Sequence, residues 1–243
     1  MKSITCLIFF GMHCLSFAGV IIATSFEPTP YTVGNLTGQN GWTIFGSGNP
    51  QVENSFSRTG LQAVSFNATG LSGQSTAINA LTYSDAGGEK IIEATIAMYI
   101  TPSASPTRWT ALSFFSTNGF LAQLLVLDTA IIGNGPTTTG TLAINQGTWH
   151  SFRLHLDFAS QTMTGYADSA LIGELPFSIL AHDLTQVRFG VNTLPGANTA
   201  YFDDLIITSA TPEPTELTWL GLGAIIALLR RRKKAEHTNH HDF

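Results

Sequence analysis

The chain has 243 residues, of which only 11% are charged, and it carries 23 glycines. That length and composition suit one domain with targeting ends, and an exported β-protein better than a cytosolic helical one. Between Thr24 and Thr211 five basic residues (Arg58, Lys90, Arg108, Arg153, Arg188) stand against twelve acidic ones, a balance of −7. A body this acidic argues against nucleic acid as a partner. The two cysteines, Cys6 and Cys14, both precede Ser16, so the body has no disulfide and no thiol chemistry.

Residues 1–23 read as a secretory signal peptide. Lys2 gives the positive start and an apolar run follows from about Ile4. Ala18 and Ala23 offer cleavage after Ser16-Phe17-Ala18 or Ile21-Ile22-Ala23. The alternative is an uncleaved anchor.

Residues 24–209 alternate apolar and polar side chains between short turn-forming stretches such as "GSGNP", "DAGGEK" and "LPGAN". Expected strands are Gln62–Phe66, Ile91–Ile100, Phe120–Leu127, Trp149–Phe158, Thr185–Asn192 and Ala200–Thr208. In "WHSFRLHLDF", Phe152, Leu154, Leu156 and Phe158 face inward while Ser151, Arg153, His155 and Asp157 face outward. A turn near Ala159-Ser160-Gln161 makes a hairpin with "TMTGYAD". No helix-period stretch of useful length interrupts this pattern. The expected fold is all-β, a two-sheet antiparallel jelly-roll sandwich of about a dozen strands. An N-terminal signal helix and a single C-terminal hydrophobic helix flank it.

The order of these signals resembles the concanavalin A-like lectin/glucanase and laminin-G-like sandwiches. Phe26-Glu27 opens the domain, followed by Gly34–Trp42 and Thr59–Phe66. A Trp-led strand then runs into Asp157, and the last strand is "YFDDLIIT" at Tyr201–Thr208.

Residues 210–216 form a linker containing Pro212-Glu213-Pro214. The apolar run Leu217–Leu229 has 13 residues and ends on Arg230-Arg231-Arg232-Lys233-Lys234. As a helix it spans roughly 20 Å, against a hydrocarbon core of ~30 Å. It is apolar all round, unlike a core helix with a polar face, and its basic end suits the cytoplasmic interface. The polar tail 235–243 follows. Pro-Glu-Pro, a short apolar helix with Leu220-Gly221-Leu222-Gly223, and an arginine cluster together resemble the PEP-CTERM sorting signal. That resemblance implies processing by an exosortase in an exopolysaccharide-producing bacterium. It also implies transient anchoring in the inner membrane before release to the cell surface or beyond. The tail is longer, and Glu216 and Trp219 are more polar and bulkier, than is usual for such a signal.

Few constellations carry chemistry. No Glu-x-Asp-x-x-Glu run, no G-x-S-x-G and no cysteine nucleophile is present. Glu89 and Glu93 read as a solvated strand face, and His155 as a member of an outward cross-strand ladder or a ligand contact. His150 reads as a partly buried, satisfied histidine, and His182 as a loop residue. Glu27, Asp203 and Asp204 are the candidates for a structural calcium site between first and last strands, the alternative being edge hydrogen bonding. Asp203 and Asp204, being adjacent, are expected on opposite faces. Trp42, Trp109 and Tyr166, with Tyr31, would stack on sugar rings if exposed and fill the core if not. The expected function is therefore an exported, non-enzymatic surface or matrix protein that associates with polysaccharide. A carbohydrate-active enzyme with an unrecognised site, or a purely structural or adhesive module, is the alternative.

Overall fold

The structure is a computed structural model that describes residues 19–67, 73–102, 109–126, 129–133, 137–193 and 199–210. The chain divides after Thr211. The second unit, with the Pro-Glu-Pro linker, the apolar run and the arginine cluster, lies outside the described residues, as does the sequence before Gly19. Among the described residues no helix is long and apolar enough to cross a membrane.

The period-two segments form sixteen strands, β1 to β16 in chain order. The nine-stranded sheet runs β14 (Ala170–Pro176), β13 (Thr162–Ala167), β12 (Trp149–Asp157), β7 (Ile91–Ile100), β16 (Thr199–Ala210), β5 (Ala63–Asn67), β4 (Gln51–Glu53) and β2 (Gly34–Asn35), with β1 (Gly19–Thr24) also paired to β16. The seven-stranded sheet runs β11 (Thr138–Ala143), β10 (Thr129–Gly133), β9 (Gly119–Val126), β8 (Trp109–Ser116), β15 (Asp183–Thr193), β6 (Gly73–Ser84) and β3 (Thr43–Gly46). Every pairing between these strands is antiparallel. The fold is thus an all-β jelly-roll sandwich.

The sheet begins before the expected boundary at 24. Gly19–Thr24 pairs with Leu205–Ser209 of the last strand, so cleavage after Ala18 would leave β1 whole and cleavage after Ala23 would remove most of it. Glu27 follows the first strand rather than opening it.

Alternation puts the apolar half of each strand between the sheets. Phe152, Leu154 and Leu156 of β12 are buried, while Arg153 is exposed on the outer face. An aromatic cluster closes the core, with Phe189 at its centre. Its ring lies 4.9 Å from Trp42, 4.8 Å from Phe202, 5.8 Å from Phe66 and 5.9 Å from Phe26. Trp42 is a core residue at 1% exposure, which corrects its reading as a sugar contact. Its ring packs edge-on against Phe189, and its Nε1 donates to the Tyr31 hydroxyl at 3.0 Å. A buried indole whose N–H is paired gains more from the core than from solvent.

Residues 54–62, between β4 and β5, form a strap across the outer face of the nine-stranded sheet. Phe56 lies over a row of three aromatics. Trp149 pairs with Tyr99, and Tyr99 pairs with Tyr201, across β12, β7 and β16. The Phe56 ring is 4.6 Å from Tyr99, 4.7 Å from Tyr201 and 5.6 Å from Trp149, near-parallel to the last. Farther along, Arg58 N and Thr59 N donate to Asp203 Oδ2 at 3.0 and 3.2 Å. Leu61 N and Gln62 N donate to Glu27 Oε1 at 2.9 and 3.1 Å. Asp203 points away from the core yet is fully buried, because the strap covers it.

The alternation rule fails at the next residue. Pairing of β16 with β7 slips between Asp203 and Ile206, and Asp204 has φ 51°. This bulge turns Asp204 toward the strap too, where its Oδ1 accepts from Thr59 Oγ1 at 2.6 Å. The two aspartates do not face opposite ways, as strict alternation implies.

Phe189 carries the core, so Phe189→Ala should destabilise the domain by about 3–5 kcal/mol. Thermal or denaturant unfolding measures this; a loss below about 1 kcal/mol would mean the aromatic cluster is not the core's support.

Candidate functional site

The outer face of the seven-stranded sheet holds a groove of about 190 Å³. Alternation of Val187, Phe189 and Val191 inward leaves Arg188 outward on β15. Cross-strand register then sets Arg188 beside Ser113 of β8, and Ser113 beside Gln123 of β9. Gln74 and Thr76 of β6 and Phe115 of β8 complete the lining. Gly190 belongs to the floor, where any Cβ would lie 2.1 Å from the Ser75 carbonyl oxygen.

The Arg188 guanidinium is half-buried and lies 3.7 Å above the centre of the Phe115 ring. Its Nε and Nη2 donate to Gln186 Oε1 at 3.1 and 2.7 Å. Among the described residues it has no carboxylate partner, unlike Arg58 and Arg153. Burial lowers its pKa without removing the charge. Its lining residues include no carboxylate and no imidazole. The groove therefore offers a fixed cation, amides, hydroxyls and a ring: groups that bind, orient and neutralise an anion, not groups that exchange protons at neutral pH.

Tyr166 lies on the opposite face. It lines a cavity of about 670 Å³ on the nine-stranded sheet, together with Arg58, Thr95, Ser151 and Arg153. The Arg153 guanidinium stacks 4.0 Å over its ring. Trp109 opens β8; its side chain lies outside the described residues. So do Pro212, Glu213, Pro214, Arg230, Arg231 and Arg232.

Asp203 and Asp204 both meet the strap at Arg58 and Thr59, while Glu27 meets it at Leu61 and Gln62. There they accept hydrogen bonds, and Arg58 Nη1 lies 3.8 Å from Asp204 Oδ2. Burial, with the neighbouring Asp204 charge adding to it, pushes the Asp203 carboxyl up to about 6 against the pull of its N–H donors. Among the described residues no three His, Cys, Asp or Glu side chains group as a metal set. One oxygen is nonetheless left over: Gln62 Oε1 is buried without a partner, on the residue whose N–H binds Glu27. Two carboxylates plus amide and carbonyl oxygens are the donors a hard cation takes.

The three described histidines are each held by a carboxylate. His155 faces outward on β12 and bonds Glu93 across the sheet, and that bond raises its pKa. His182 bonds Asp85 at 2.9 Å and, with Lys90, holds that carboxyl below its ordinary value. His150 comes nearest to a catalytic arrangement: its Nδ1 is 2.5 Å from Asp168 Oδ2 and its Nε2 2.9 Å from Thr148 Oγ1. However, Nε2 is also 2.8 Å from the Asn145 carbonyl oxygen, and the Thr148 hydroxyl donates to that same oxygen at 3.0 Å. The hydroxyl proton is directed at the carbonyl, so the set ties a loop to the sheet rather than activating a nucleophile.

The sequence did not single out Arg188. The alternation around it shows that it faces outward; that it lacks an acidic neighbour follows only from cross-strand register.

No family model matches the chain, and no curated protein is similar to it in sequence. Solved structures share its fold. A carbohydrate esterase of the Shiga toxin-encoding bacteriophage phi24B superposes with a TM-score of 0.58 at 14% identity, over 79% of this chain and 99% of that one. An endo-beta-1,4-glucuronan lyase of the fungus Trichoderma reesei gives 0.51 at 12% identity, over 72% and 92%. A sialidase gives 0.56 at 8% identity over 77% of this chain, which spans only 19% of the sialidase. At such identities the likeness establishes the β-sandwich jelly-roll fold that this chain shares with carbohydrate-directed proteins.

Proposed function

We propose that the chain is an exported, non-enzymatic protein that associates with acidic polysaccharide through the Arg188 groove. The carrying observation is a half-buried guanidinium without a carboxylate partner among the described residues, set among amides, hydroxyls and a ring. A charge held partly out of water gains most from a ligand that brings its own carboxylate, which a planar guanidinium can bind through two parallel N–H bonds. A uronic acid offers that carboxylate together with hydroxyls for Gln74, Thr76, Ser113 and Gln123. The lyase and esterase likenesses support a carbohydrate ligand. The lining favours binding over catalysis, because it holds no acid–base pair.

The Pro-Glu-Pro linker, the apolar run and Arg230–Arg232 supply the address. In this reading an exosortase cuts near Pro212-Glu213-Pro214 after the apolar run has paused in the inner membrane, leaving the sandwich at the surface or in the matrix. A structural calcium ion at the Glu27 end of the strap, with Glu27 and the Gln62 side-chain oxygen among its donors, is a secondary reading.

Three outcomes are expected. Arg188→Ala should weaken binding to polygalacturonate about tenfold or more, with little effect on a neutral glucan, and Arg188→Lys should recover only part of it; unchanged affinity would remove the groove from the mechanism. Intact mass of the protein released by its native host should correspond to a chain ending near Pro212–Pro214, and a mass that retains Arg230–Lys234 would exclude exosortase cutting. Millimolar calcium should raise the melting temperature by ligand linkage, and Gln62→Leu or Glu27→Gln should abolish the rise; a wild-type protein indifferent to calcium would leave the strap held by hydrogen bonds alone.

A further inference from the structure

We infer that the outer face of the nine-stranded sheet is a second carbohydrate-binding surface, so that one domain holds two acidic polysaccharide chains on opposite sides and cross-links them. The cross-linking rests on the proposed reading of the Arg188 groove; the second surface stands on its own residues.

Three observations carry it. The first is the cavity of about 670 Å³, a volume within the range of ligand-sized sites. Thr59, Thr95, Ser151 and Ser169 give its lining several hydroxyls, which suit a polyol, and Asp204 is its one carboxylate, set against two guanidiniums. The second is charge. In a body of balance −7, two of its five basic residues, Arg58 and Arg153, line this one cavity. Their acidic partners are loose: Asp204 is 3.8 Å from Arg58, and Glu93 is 3.9 Å from Arg153. The Arg153 side chain is 45% exposed, so its pair is screened by water and readily exchanged for a sugar carboxylate. Arg58 is oriented by Ser151, whose Oγ accepts from Nη2 at 2.7 Å, and Arg153 by the Tyr166 ring beneath it.

The third observation is extent. The lining runs from Arg58 and Ser151 to Tyr166 and Ser169, so a compact anion such as free phosphate would use an arginine and leave the hydroxyls idle, whereas a uronic-acid unit uses both. The aromatic row under Phe56 is separate from it: Ala97 and Asp203, between Tyr99 or Tyr201 and the cavity, are fully buried beneath the strap.

Titration calorimetry of the full exported chain with a short oligogalacturonate tests this. Two equivalents should bind to the wild type. Arg188→Ala should retain one, and Arg153→Gln or Arg58→Ala should retain the other, each lost site weakening about tenfold or more. The Arg58 substitution spares the backbone N–H that reaches Asp203, and an unchanged melting temperature would show that the strap still seats. Long polygalacturonate should be precipitated or gelled by the wild type and bound without gelling by either single-site variant. One equivalent abolished by Arg188→Ala alone would overturn the second surface and leave the groove standing. One equivalent abolished by the Arg58 or Arg153 variants alone would overturn the groove and the cross-linking. Binding of free phosphate as tightly as the oligomer would overturn the uronic-acid chain as the occupant.

Discussion

A carboxylate buried under a strap organises one side of this protein. Asp203 Oδ2 takes two backbone N–H groups of the strap, and its Oδ1 takes the N–H of Asp204. Hydrogen bonds to a charged acceptor contribute about 1.5–3 kcal/mol each, while desolvating the charge costs several kcal/mol. Desolvation outweighs the donors, and the carboxyl is accordingly pushed up to about 6. The gain is positional. With its backbone pinned at Arg58 and Thr59, the strap lays Phe56 over Tyr99 and Tyr201 and brings the Arg58 side chain to the cavity wall. The bulge in β16 extends the same constraint to Asp204.

Nothing covalent supports the arrangement, since the body has no cysteine. Cohesion comes from sheet pairing and from the apolar layer. The last strand joins both: it pairs with β7, β5 and β1 while sending Phe202, Leu205 and Ile207 into the core. The first described strand and the last are thereby neighbours, and each end of the domain helps hold the other.

The sandwich itself was legible in the residues. The period of two in β12 assigned Phe152 and Leu154 inward and Arg153 and His155 outward, as the burial of these strands bears out. Histidine 150 was read as partly buried and satisfied, and its ring is bonded on both nitrogens. What failed depended on irregularity or on register. Periodicity cannot place a bulge, so it puts Asp203 and Asp204 on opposite faces although both meet the strap. Composition cannot tell a core tryptophan from a sugar platform, so Trp42 was offered as a contact although Tyr31 and Phe189 enclose it. The aromatic row was invisible because Phe56, Tyr99, Trp149 and Tyr201 are distant in the chain and meet only through the pairing of β12, β7 and β16. The groove was hidden for the same reason: a lone arginine in a strand says nothing until its cross-strand neighbours are known.

Net charge and local charge point in opposite directions here, and distance decides between them. A body of balance −7 repels an acidic polysaccharide at long range. At physiological ionic strength that repulsion is screened beyond about 8 Å. On the proposed reading an acidic chain within hydrogen-bond reach meets Arg188 on one face and Arg58 and Arg153 on the other, where a guanidinium–carboxylate fork outweighs screened, diffuse repulsion. The same scarcity of charge makes this selective. Of the four described lysines and arginines of the body, three stand in these two places, Arg188 in the groove and Arg58 and Arg153 in the cavity, so an acidic chain gains little by binding elsewhere. On that reading, a surface mildly repulsive overall and attractive at two opposed places would hold polysaccharide chains on either side of the two-sheet body without coating itself in them.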